Sequence, residues 1–73
     1  MGEMIEIETF AKDGHFSAYS ALPKGQAKAA IVVIQEIFGV NEGIRRKCDH
    51  WATQGYAAFA PDLFWRLQPG IEL

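Results

Sequence analysis

The 73-residue sequence contains a single cysteine, Cys48. That excludes an intrachain disulfide and any cysteine-rich metal ligand set. It fits a reducing compartment, so a cytoplasmic location is expected. No apolar run approaches the ~18 residues of a membrane-crossing helix, and no membrane partner is expected. The opening "MGEMIEIETF" lacks the basic start and apolar core of a secretion signal. Met1-Gly2 is similar to a myristoylation start, but Glu6 stands where that signal needs Ser or Thr. Positive charge is scarce, with Lys+Arg 7 against Asp+Glu 9 and a pI near 5.5. The one basic cluster, Arg45-Arg46-Lys47, reads as a solvated helix face, so nucleic acid is not an expected partner.

Chemical motifs are missing as well. There is no G-x-S-x-G or G-x-C-x-G nucleophile elbow, so these residues cannot assemble a hydrolytic triad. The loop "GVNEG" has neither the glycine spacing of a dinucleotide site nor a Walker lysine. No cofactor and no metal are expected.

What is present is apolar: 49% of the residues are hydrophobic and 22% charged. That is rich for a chain so short, whose own core is marginal. The chain is expected to be part of a larger α/β domain. "EMIEIETF" alternates, with Met4, Ile5, Ile7 and Phe10 set against Glu6 and Glu8, as in a half-solvated strand. Asp13-Gly14 is a hairpin turn signal. "FSAYSAL" reads as the returning strand, with Phe16, Ala18 and Ser20 on one face and Tyr19 on the other. "AAIVVIQ" is a continuous β-branched run, expected to be covered on both faces as in a parallel sheet.

"NEGIRRKCDHWATQG" then shifts to helical spacing, with Ile44, Cys48, Trp51 and Ala52 on one stripe. Asn41 suits the N-cap and Gly55 the stop, while Glu42 and Arg46 stand at i,i+4. "YAAFAPDLF" is a second buried-type strand. The reading is an antiparallel hairpin followed by one βαβ unit, an incomplete sheet with an open edge and an apolar face.

Ligands in open α/β sheets sit beyond the carboxyl ends of strands. "QEIFGVNEG" lies at such an end, and Glu36 is its informative residue. A carboxylate at the mouth of a buried strand is costly unless it is hydrogen-bonded or has a task. Both readings, a bond to nearby backbone amides and a chemical role, stay open on position alone. Phe38 in the same loop suits a pocket lining. Cys48, on the apolar stripe, reads as a core thiol rather than a nucleophile. His50 and His15 read as exposed, Asp62 as a turn or cap residue, and Trp51 as core.

The stretch "VVIQEIFGVNEGIRRKCDHWATQGYAAFAPDLFWR" resembles the N-terminal part of the dienelactone hydrolase family, of the α/β-hydrolase fold. The likeness rests on Q-E-I-F-G-V-N, then Q-G-Y-A-A, then A-P-D-L, with Phe64 where the family commonly has Tyr. It implies a hydrolase of the carboxymethylenebutenolidase type. Such an enzyme opens lactones or cleaves small carboxylic esters through a Cys-His-Asp triad that would lie beyond residue 73. By the same resemblance, Glu36 sits beside the nucleophilic thiol, the Ile37 N–H forms half of the oxyanion hole, and Phe38 lines the substrate pocket. Nothing in the resemblance carries over to Cys48. Residues 1–73 are thus expected to be the N-terminal portion of one such domain, acting on a small-molecule lactone or ester. The alternative is a non-catalytic chain that self-associates or binds a partner through its incomplete sheet.

Overall fold

The computed structural model describes residues 2–72. Met1 and Leu73, the ends of the expected 1–73 portion, lie outside the described residues. Strand β1 (Glu3–Glu8) pairs antiparallel with β2 (His15–Ala21), from Glu3↔Ser20 to Glu8↔His15. Ile5 and Ile7 are half-buried while Glu6 and Glu8 stay in water, as the alternation requires. The hairpin forms, but not through a two-residue Asp13-Gly14 turn. The Thr9 N–H donates to the Gly14 carbonyl (3.1 Å), and Lys12 takes the positive φ of 59°. Asp13 instead bends the longer loop by accepting from the Thr9 hydroxyl at 2.7 Å.

Strand β3 (Ala30–Val32) runs parallel to β4 (Ala57–Pro61), and helix α1 (Glu42–Thr53) connects them. The sheet order is β1-β2-β4-β3, so β4 lies inside, antiparallel to β2 and parallel to β3. β3 is short, but flanking bonds extend its pairing. Lys28 N–H donates to the Gly55 carbonyl at 2.9 Å, and Val33 N–H to the Phe59 carbonyl at 2.7 Å. Pro61, without an N–H, is tolerated because it ends its strand, and Asp62 N–H resumes the ladder to Ser17 at 2.8 Å.

Both ends of α1 follow from local chemistry. The Asn41 side chain accepts from the Ile44 N–H, as an N-cap does. At the other end the Gly55 N–H donates to Ala52 (3.0 Å) and the Tyr56 N–H to Trp51 (3.1 Å). That is the Schellman arrangement, and it places Gly55 at φ 94°, which a side chain would disfavour. Glu42 and Arg46 pair at 2.8 Å, though on the surface.

Ile44, Cys48 and Ala52 bury the inner face of α1 against Tyr19, Ala21, Ala58 and Ala60. Each full burial of a side chain such as Ile44 stabilises the fold by about 1.5–3 kcal/mol. Trp51 departs from the core expectation and is 39% exposed. It follows Cys48 by three positions, at the edge of the stripe, and packs edge-on against Tyr56 at 5.7 Å. Within the described residues β3 is covered on one face only. Val33 packs under the helix, but Val32 and Ile34, pointing the other way, are 59% and 60% exposed. α1 is the only helix among the described residues, and it covers one face. It is too short to cross a membrane.

Candidate functional site

The carboxyl ends of β3 and β4 lie side by side in the sheet, and two buried polar side chains stitch the segments that leave them. Gln35 donates from Nε2 to the Glu36 carbonyl (3.2 Å) and accepts at Oε1 from the Leu63 N–H (2.8 Å). Asp62, 4% exposed, accepts from the Phe64 N–H at 3.2 Å and from the Gly70 N–H at 2.8 Å. Its carboxylate is thereby occupied in organising the 62–70 loop, which agrees with the turn reading. Gln35 went unremarked in the sequence because its partner Leu63 is 28 residues away.

From Gln35 the chain makes a tight turn over residues 36–39. The Gly39 N–H donates to the Glu36 carbonyl at 3.1 Å, and Gly39 adopts φ 79°. Its glycine is required twice: by that φ, and because a Cβ there would overlap the Ile71 carbonyl. Ile37 and Phe38, the central residues of the turn, are exposed. The Ile37 N–H donates to no group among the described residues.

The Glu36 side chain is exposed and forms no hydrogen bond or ion pair among the described residues. The purely structural reading, a carboxylate tied to neighbouring amides, therefore does not describe it. Glu36 and Phe38 line one side of an open depression of about 150 Å³, and Asn41, Gly43 and Lys47 of the helix start line the other. Ile37 is not among its lining residues. The depression is smaller than the roughly 300–1,000 Å³ of a typical ligand site. It offers one carboxylate, one lysine, an aromatic edge and the positive end of a helix.

Cys48 lies away from this loop, fully buried between sheet and helix. Burial, then the nearby Asp49 carboxylate, pushes its thiol pKa up, which removes it as a nucleophile. His50 and His15 are exposed, the latter 4.0 Å from Glu8. No three His, Cys, Asp or Glu side chains are grouped to hold a metal ion among the described residues.

The dienelactone hydrolase family model matches residues 16–70. A provisionally named carboxymethylenebutenolidase of Azospirillum brasilense is 56% identical over 62 residues, covering 84% of this chain and 27% of that protein. The carboxymethylenebutenolidase of Pseudomonas putida is 43% identical over 72 residues, covering 97% of this chain and 30% of that protein. The crystal structure of a provisionally named dienelactone hydrolase from Klebsiella pneumoniae subsp. pneumoniae MGH 78578 matches with a TM-score of 0.72 at 38% identity. It covers 94% of this chain and 30% of that one. The chain spans under a third of the length of these relatives.

Proposed function

Since the chain belongs to the dienelactone hydrolase family, we propose that residues 1–73 form the N-terminal portion of a single hydrolase domain that opens lactones or cleaves small carboxylic esters. The observation that carries this reading is Glu36. Its carboxylate has no partner among the described residues and stands at the carboxyl end of β3, beside Phe38 and facing the start of α1. An unpaired acid at that place in an open α/β sheet is where such folds put their chemistry.

The proposed route is acyl transfer through a Cys-His-Asp triad supplied by the rest of the domain. A thiolate attacks the substrate carbonyl, and the carbonyl oxygen takes up negative charge. The C–O bond to the leaving oxygen breaks, and that oxygen takes a proton from the histidine. Water then hydrolyses the thioester. The Ile37 N–H, which has no acceptor among the described residues, is suited to stabilise the developing oxyanion. Glu36, next to the incoming thiol, helps to control its ionisation and orientation as substrate binds, accepting the thiol proton so that the thiolate forms in place. Phe38 supplies an apolar wall for the substrate.

The test is ester and lactone hydrolysis by the gene product that carries these residues, with and without Glu36→Gln. The substitution removes the charge and keeps the shape. A fall of ~10²-fold or more in kcat/KM is expected, the scale typical for a positioned acid–base group. A variant as fast as the wild type overturns the role of Glu36, and an inactive wild type overturns the hydrolase reading.

A further inference from the structure

The 36–40 turn is held from outside. Arg45, on the first turn of α1, donates from Nη1 to the Val40 carbonyl at 2.8 Å. The same guanidinium grips Glu72 with both arms, Nη1 to Oε1 at 3.2 Å and Nη2 to Oε2 at 3.3 Å. Glu72 in turn forms a backbone bridge with Gly39, and Gly39 bridges to Glu36. The 71–72 segment passes so close to Gly39 that only a hydrogen fits between them. These contacts close a ring that runs Glu36, Gly39, Glu72, Arg45, Val40. A single surface ion pair contributes little. A two-pronged guanidinium that also holds a backbone carbonyl fixes geometry as well as charge.

The geometry points to Arg45 as a positioning residue for the hydrolase reaction, with the 70–72 segment as a strap that it fastens over the turn. The inference rests on the functional reading of Glu36 and Ile37 given above. Arg45 touches neither of them and acts through Val40 and Glu72. Fastening sets the direction of the Glu36 side chain and of the Ile37 N–H, since both leave the same four-residue turn. Displacements near 1 Å at such a site can cost ~10²-fold in rate.

Two readouts separate this role from general stability. In the full gene product, Arg45→Met is expected to speed amide hydrogen exchange at Gly39 at least ~10-fold. The amides of Cys48 and Ala58 should stay within about twofold, because neither residue is part of the ring. In the full gene product, Arg45→Met is expected to lower kcat ~10-fold or more while KM shifts less than about threefold. Arg45→Lys should recover only part of kcat, since an ammonium cannot hold carbonyl and carboxylate in one plane. Glu72→Gln, which loses the charge and one of the two acceptor oxygens but leaves the Arg45 bond to the Val40 carbonyl, serves where Arg45→Met fails to fold, and should shift both readouts in the same direction by less. Unchanged Gly39 exchange, or unchanged kcat with an active wild type, overturns the inference alone. An inactive wild type overturns the functional reading, and the catalytic part of this inference falls with it.

Discussion

Beneath the helix the sheet presents three alanines beside Tyr19 and Val33, whereas the opposite face carries several large residues that stand partly in water around the buried Ala18. Ala21, Ala58 and Ala60 are fully buried beneath α1, opposite Cys48 and Ala52. Ile5, Ile7, Phe16 and Phe59 lie half-buried on the other side, with Val32 and Ile34 exposed beyond them. Residues of both sizes alternate along the same strands. Alanines let a helix axis approach closely, so that face is complete with one helix. Large side chains leave volume to be filled, and the only ring stacked on that face among the described residues is Trp65, against Phe16 at 6.1 Å. Hydrophobicity marks which positions can be buried; the three alanines mark where α1 already lies.

Three measurements would break or sharpen that contrast. The largest effect is expected for Ile44→Ala, which opens a cavity on the completed face. Unfolding by urea should show a loss of about 2–5 kcal/mol, and a loss below 1 kcal/mol would mean that α1 is not seated on the sheet. Alkaline titration should act more gently on the same face. Burial, then the hydrogen bond to Asp49, raises the Tyr19 pKa above its ordinary 10.0. Burial likewise raises the Cys48 thiol above its ordinary 9.0. Folded groups that hold their protons more tightly than unfolded ones stabilise the fold below the unfolded pKa and lose that effect as pH rises. Stability should therefore be flat up to pH 9 and decline above it. Cys48→Ala should remove the earlier part of the decline. The smallest effect is expected on the open face: Val32→Ser should change unfolding free energy by less than about 0.5 kcal/mol in this chain. A larger loss would show that this face is already covered in solution.

What the sequence disclosed was local. The Asn41 cap, the Gly55 stop, the Ile44–Cys48–Ala52 stripe and the Ile5/Ile7 alternation each depend on residues within a few positions, and each took the expected form. The 36–39 turn stood out as a candidate site because Glu36 interrupts an apolar run. Longer-range choices were hidden. Placing β4 between β2 and β3 is a pairing decision that no local pattern encodes. Arg45 read as part of a solvated basic cluster because its carboxylate partner lies 27 residues away. Trp51 satisfied helical spacing yet fell at the stripe's margin, where a 3.6-residue period does not decide between core and water. The depth of coverage over β3 depended on elements outside its own pattern.

The two tryptophans lie on opposite sides of the sheet: Trp51 at the end of α1 against Tyr56, and Trp65 over Phe16 with the Arg66 guanidinium 4.3 Å from its ring. Each is thus an optical reporter for its own side. With Trp51 replaced by Phe, the emission of Trp65 alone would track water leaving the uncovered surface. With Trp65 replaced, Trp51 would follow fraying of the helix end. Fluorescence could then follow the two faces separately without an added dye.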